Sequence, residues 1–216
     1  VGPAEIHVQT RLHNAGRATA NATVTWTILA PDGKTVASAQ RSAKAGPAGT
    51  IDVEQTARVS APELWSPETP RLYRLVTSVA SAGKVTDRLE TEFGIRTVAF
   101  DPDKGFLLNG KPYVIKGSCN HQDHAGVGAA LPDRLQYFRV AKLKEMGGNA
   151  YRTAHAPPTP ELLEACDRLG MLVMDENRMF SPEPGVMAEL ETMVRRDRNH
   201  PSVILWSIFN EEVLTQ

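Results

Sequence analysis

Near residue 97 the 216-residue chain changes its hydrophobic period. Before that point Ala22, Val24, Trp26 and Ile28 alternate with Thr23, Thr25 and Thr27, the period of two that buries one face of a strand. Ile6, Val8 and Leu12 repeat the pattern more weakly. Pro31-Asp32-Gly33-Lys34 supplies a turn, since proline presets its own φ and glycine accepts a positive one, and Ala82-Gly83 supplies another. Further strands are predicted near 35–42, 50–59, 72–80 and 84–93. Six or seven short strands with frequent turns predict an immunoglobulin-like β-sandwich over residues 1–97, without the Cys-Trp-Cys signature of antibody domains. On its own this half reads as a binding or spacer module.

From residue 98 to 216 the pattern is strand, loop, helix, repeated. Tyr113 to Lys116 is predicted as the first strand, followed by a helix from about Pro132 to Met146 that Gly147-Gly148 stops. Ala150 to Thr153 is the second strand. Thr159 can cap the next helix, Pro160 suits its first turn and Gly170 ends it; Leu162, Ala165, Cys166 and Leu169 form its apolar stripe. Leu172 to Met174, ending in Asp175-Glu176, is the third strand. A third helix is predicted over about 186–198 with Met187, Leu190 and Val194 on one side. Val203 to Phe209 is apolar throughout, as a strand covered on both faces should be.

Strands alternating with helices imply parallel pairing, in an open sheet or a (β/α)8 barrel. No glycine-rich phosphate loop follows the first strand, which argues against a nucleotide-binding sheet. Polar residues instead follow every strand: Asn120, His121, Asp123 and His124; Arg152 and His155; Asp175 and Glu176; Asn210 and Glu211. That distribution fits the first four βα units of a TIM (β/α)8 barrel, whose active site lies at the carboxyl ends of the strands.

Composition narrows the classes further. A formal net charge of −1 gives no bias toward nucleic acid or anionic membranes. Aromatic residues, 6% of the chain, are not interleaved with basic ones. No apolar run approaches the roughly 20 residues that span a bilayer. Cys119 and Cys166 fall in segments expected to be buried and give no disulfide framework. The chain begins Val1-Gly2-Pro3 and ends Val213-Leu214-Thr215-Gln216 after an apolar strand, so both ends are expected to be cut from something longer. Compartment, cytoplasmic or periplasmic and secreted, stays open.

A carboxylate in Asn210-Glu211-Glu212, at the mouth of a buried strand, is desolvated, which raises its pKa and suits a general acid; a helix-start carboxylate is the other reading. His121, Asp123, His124 and His155 could ligate a metal or hydrogen-bond a polar ligand, though the close trio lacks helical spacing. Arg152 needs a counter-charge, either in a pocket or in a structural pair with Asp175 or Glu176. Arg195-Arg196-Asp197-Arg198 reads as a solvated helix end.

Taken in order, these segments resemble glycoside hydrolase family 2, and its β-galactosidase-like members most closely. The resemblance rests on Leu64-Trp65-Ser66-Pro67-Glu68-Thr69-Pro70-Arg71-Leu72-Tyr73, which looks like the close of that family's immunoglobulin-like domain. Phe93-Gly94-Ile95-Arg96 and Phe106-Leu107-Leu108-Asn109-Gly110-Lys111-Pro112 resemble the entry to its barrel, and Lys116-Gly117 with His121 resembles the first barrel strand and its substrate loop. Asn149-Ala150-Tyr151-Arg152-Thr153-Ala154-His155 is similar to its Asn-x-x-Arg-x-x-His strand. The most specific piece is Asp197-Arg198-Asn199-His200-Pro201-Ser202 followed by Trp206-Ser207-Ile208-Phe209-Asn210-Glu211.

The resemblance implies a retaining exo-β-glycosidase acting on a carbohydrate substrate, most closely a β-galactoside, with no cofactor. Glu211 is implied as acid/base and Asn210 as the residue binding the sugar 2-hydroxyl, with Arg152, His121 and His155 lining the pocket. The family's nucleophile lies on a later strand than this sequence holds, and its amino-terminal sugar-binding domain has no match here. Asn177-Arg178-Met179-Phe180 stands where some β-galactosidases carry magnesium ligands, so no such site is expected. A half-barrel leaves strand edges and helix faces uncovered, and self-association is expected.

Overall fold

A computed structural model describes residues 2–211; Glu212 and the four residues after it, named above, lie outside the described residues. The chain forms two compact units.

The first runs through Glu63 and resumes over Leu72–Ile95. Strands β1 (Ala4–His13) and β4 (Thr50–Val59) pair antiparallel, with Ala4 opposite Val59 and His13 opposite Thr50. A second antiparallel sheet holds β2 (Ala20–Leu29), β3 (Thr35–Ala45), β5 (Tyr73–Ser81) and β6 (Lys84–Phe93) in the order β3-β2-β5-β6. Alternation in β2 does what its period predicts, burying Val24, Trp26 and Ile28. Val24 and Trp26 pack with Val8 and Val53 of the other sheet, so the core lies between two sheets as in a sandwich. Trp26 Nε1 donates to Thr10 Oγ1 at 2.8 Å, and the Tyr73 hydroxyl accepts from the Glu63 backbone at 2.8 Å. The β5–β6 hairpin turns on Ala82 and Gly83, both at positive φ, the geometry that matches strand twist in a two-residue loop.

The second unit holds Leu64–Arg71 and everything from Arg96 onward. The Leu64–Arg71 segment therefore belongs with this unit, although its sequence resembles the close of the sandwich. Trp65 is fully buried here, donating to the Asp167 carbonyl at 2.9 Å while its own carbonyl accepts from Asn109 at 3.0 Å. A small meander, β7 (Val98–Asp101), β8 (Gly105–Leu108) and β9 (Lys111–Pro112), precedes the main sheet.

That sheet contains β10 (Gly117–His121), β11 (Ala150–Ala154), β12 (Leu172–Glu176) and β13 (Val203–Ser207), all parallel and in sequential order. Helices α1 (Asp133–Glu145), α2 (Pro160–Leu169) and α3 (Pro184–Asp197) fill the three connections. An open doubly wound sheet reverses its order at a switch point; this one does not, which is barrel topology. The core joins Val140 of α1, Leu162, Leu163, Ala165 and Cys166 of α2, and Tyr151, Val173 and Val203 of the strands.

Several local expectations are corrected. Tyr113–Lys116 is not the first parallel strand; β10 begins at Gly117 and is mostly exposed, so Cys119 is exposed too. Apolar Val114 and Ile115 are 72% and 41% exposed. Thr159 occupies the α2 cap position without a side-chain cap bond, its hydroxyl accepting instead from Gln136 at 3.4 Å. In α3 the buried residues are Met193 and Asp197, while Met187 is exposed. The α3 end is thus not simply solvated, since Asp197 is inaccessible and paired with Arg196 at 2.6 Å. Strand β13 stops at Ser207, and Trp206 is 37% exposed.

Candidate active site

Each strand of the parallel sheet ends in polar side chains, and those of β11, β12 and the β13 end converge. Arg152 lies on β11, and His155 follows the strand directly. Glu176 is the last residue of β12 and is wholly inaccessible to solvent. Asn210 and Glu211 follow β13.

The centre of the constellation is the Glu176 carboxylate. Its Oε2 accepts from Arg152 Nε at 2.7 Å and from Ser207 Oγ at 3.0 Å. Its Oε1 meets His155 Nδ1 at 2.7 Å. The Glu176 amide donates to Thr153 Oγ1 at 2.9 Å. A buried carboxylate is tolerated only when paired and hydrogen-bonded, and three side chains meet that demand: Arg152 and His155 from β11 and its end, and Ser207 from β13. Of the two counter-charges open to Arg152, the structure uses Glu176.

Arg152 continues the network outward, donating from Nη2 to Asn210 Oδ1 at 2.8 Å and from Nη1 to Cys119 Sγ at 3.4 Å. The bonds to Cys119 and Glu176 together hold the Arg152 pKa above its usual value. His121, the last residue of β10, sets its ring edge-on to that of His155 at 5.0 Å and 89°. Arg152, His155, His121 and Asn210 thus come together. Glu211 is the next residue along, with φ at +51°; it is exposed, so the desolvation expected of it at the mouth of β13 is not found. Such a φ is uncommon for any residue but glycine and clusters at functional sites.

Asp123 and His124 do not join the cluster by any hydrogen bond described. The His124 backbone instead closes a tight turn with Gly128, accepting its N–H at 3.0 Å. Among the described residues no three His, Cys, Asp or Glu side chains come together so as to hold a metal ion.

The Asp197–Ser202 segment secures the beginning of β13 rather than its end. Asp167 of α2 accepts from the Ser202 amide at 3.0 Å and sits 2.5 Å from His200 Nδ1. Burial alone would lower the His200 pKa, but the Asp167 carboxylate more than offsets it and raises it. Arg96 donates to the carbonyls of Pro201 at 2.7 Å and Val203 at 2.5 Å. Asn149 does the same for β10, accepting from the Lys116 amide at 2.7 Å and donating to the Val114 carbonyl at 2.8 Å. Thr153 and Ser207 entered the sequence reading only as members of longer motifs, because each acquires its role only when strand pairing brings it Glu176, whose amide Thr153 accepts from and whose carboxylate Ser207 donates to.

Sequential parallel strands, helical crossovers and polar groups at the strand ends define part of a parallel βα barrel, which follows a β-sandwich in the chain. Comparison with known proteins identifies the family. Glycosyl hydrolases family 2 matches residues 2–96, and the TIM barrel domain of the same family matches 101–182 and 181–216. The chain belongs to glycosyl hydrolases family 2. It is 39% identical to β-galactosidase BoGH2A of Bacteroides ovatus over 96% of its own length and 26% of that protein. It is 32% identical to a β-glucuronidase of Bacteroides fragilis over 98% of its length and 32% of that protein. The crystal structure of a Bacteroides uniformis β-glucuronidase superposes with a TM-score of 0.92 at 35% identity, covering 99% of this chain and 27% of that one. The chain therefore spans about a quarter to a third of the length of these relatives. Its second unit is a partial TIM barrel.

Proposed function

We propose that this chain is part of a longer retaining exo-β-glycosidase of the β-galactosidase type, with a sandwich over residues 1–97 and the first half of the catalytic barrel from 98. Glu211 is the acid/base, Asn210 binds the sugar 2-hydroxyl, and Arg152, His121 and His155 line the pocket. The observation that carries this reading is the Arg152–Asn210 bond of 2.8 Å immediately before Glu211. It holds the amide at the mouth of β13 with its oxygen already committed, so its N–H groups are available to a sugar hydroxyl. The positive φ of Glu211 is a second support.

In a retaining mechanism two carboxylates stand about 5–5.5 Å apart, one attacking the anomeric carbon and the other protonating the departing oxygen. Glu211 performs the second task, then takes a proton from the water that releases the glycosyl-enzyme. The nucleophile belongs to sequence beyond this chain, so residues 1–216 alone should turn over little or nothing. β-Glucuronidases among the relatives favour a second glycon for the same machinery, and a β-mannoside is the third candidate.

The test is hydrolysis of aryl β-galactoside, β-glucuronide and β-mannoside by the complete enzyme and by Glu211→Gln. Activity on one glycoside should collapse in the variant, most severely with poor leaving groups, because those depend on protonation. Activity indifferent to Glu211 would remove its role, and no activity on any substrate would leave a carbohydrate-binding module.

A further inference from the structure

Glu176 cannot touch a substrate, since it is wholly buried at the end of β12, yet it fixes where its neighbours carry their hydrogens. A carboxylate only accepts, so His155, 2.7 Å away through Nδ1, must hold a proton on that nitrogen. In neutral His155 the other ring nitrogen, Nε2, is then a lone-pair acceptor. A guanidinium only donates, so Asn210 must turn Oδ1 to Arg152, as it does at 2.8 Å. Nδ2 is thereby the group Asn210 can offer to a ligand. Arg152 itself is held to Glu176 through Nε at 2.7 Å and Nη2 at 2.5 Å. One buried anion thus sets a donor at Asn210 and an acceptor at His155.

We propose that Glu176 is a positioning residue of the glycosidase reaction, setting the hydrogen-bond polarity of Asn210 through Arg152 and of His155 through its tautomer. The proposal rests on the function proposed above and adds to it a residue that never meets the sugar.

Glu176→Gln keeps the shape and changes the polarity. Arg152 and Ser207 both donate to Oε2, so the amide oxygen of glutamine takes that side and its NH2 group faces His155. The imidazole must then present a lone pair at Nδ1 and carry its proton on Nε2, reversing the face it offers. Arg152 loses its ionic partner, and Asn210 loses a firmly held donor.

The experiment compares the complete enzyme with Glu176→Gln on the aryl glycoside that the parent hydrolyses and on its 2-deoxy analogue. On the 2-hydroxy substrate kcat/KM should fall on the order of 10²-fold, the scale of a misplaced catalytic contact. The 2-deoxy substrate should lose roughly tenfold less, the equivalent of one hydrogen bond. Equal losses on both, or none on either, would overturn the proposal in favour of a purely structural residue. The second measurement needs no variant to fold: 15N NMR of histidine-labelled parent should report His155 protonated at Nδ1, and Nε2 protonation there overturns the proposal. Where the glutamine variant is folded, its His155 should have switched to Nε2, and an unchanged tautomer counts against the mechanism. A parent inactive on every glycoside would instead sink the underlying glycosidase reading and this role with it, an outcome distinguishable because the tautomer is read separately.

Discussion

Asp175 and Glu176 follow one another along β12, so their side chains leave the strand on opposite faces. Glu176 meets Arg152, His155 and Ser207. Asp175 is equally inaccessible, and its carboxyl group neighbours that of Asp197. Burial, reinforced by the neighbouring Asp197 carboxylate and only partly offset by Arg196 and His200, pushes its pKa up to about 8. The unfolded chain loses this proton near the ordinary value of 3.8, whereas the folded chain keeps it until about 8. The stability Asp175 contributes is therefore complete below the unfolded value and declines as pH rises toward 8. Asp175→Asn, which is always neutral and can donate to Asp197, should remove that decline. Thermal unfolding from pH 4 to 9 should show the variant gaining on the parent as pH rises across that window; parallel profiles would mean that Asp175 is ionised in the fold. At this scale Arg152, His155 and Asn210 were readable as polar groups gathered at strand ends, because each follows or closes an apolar run, while the pocket roles given them came from the resemblance. The hub was not. Sequence left Glu176 as one of two partners for Arg152, and only the pairing of Glu176 with Ser207 across β12 and β13 gathers its donors.

Among the elements, α2 was the most readable: Pro160 at its start, Gly170 in the left-handed conformation at its end and a buried apolar stripe agree with one another. Strand β10 was the least. The apolar run Tyr113–Lys116 draws attention, but the strand that pairs with β11 is the polar Gly117–His121 beside it, which among the described residues has a neighbour on one side only. What places β10 is close backbone approach. A Cβ at Gly117 would lie 2.7 Å from the Ala150 carbonyl oxygen and 2.9 Å from its Cβ, inside any real contact. Gly117→Ala should therefore force β10 away from β11 and cost about 1–3 kcal/mol, the usual range for overpacking. Urea unfolding would measure it, and an unchanged midpoint would mean the edge strand shifts freely. The signature around His200 was recognised by resemblance alone; its physical sense, anchoring the start of β13 through Asp167 and Arg96, needed the α2–β13 packing.

For the molecule as a whole, the two architectures were readable because their hydrophobic periods differ, and no knowledge of individual contacts was required. The membership of Leu64–Arg71 was not readable, since Trp65 finds its buried site more than a hundred positions away, at the Asp167 carbonyl. Among the described residues, β10 and β13 each pair on one side only, and Val114, Phe138 and Met146 are 72%, 49% and 82% exposed. On the sandwich, edge strand β6 exposes Val85 and Leu89 at 66% and 65%. Residues 1–216 in isolation should accordingly self-associate, with a weight-average mass that rises with concentration in sedimentation equilibrium. A monomer at every concentration would refute this. No described helix is long and apolar enough to cross a membrane.

The sequential order of β10, β11, β12 and β13 has a consequence in time. Each strand finds its neighbour in the next segment of chain, with one helix between them. Each closure spans one helix and its loops, which limits its entropic cost. During synthesis each strand of residues 117–207 therefore emerges directly after the neighbour with which it pairs. Along the chain Arg152 comes first, Glu176 second and Asn210 last, so the Arg152–Asn210 bond is the last of this network that synthesis can complete.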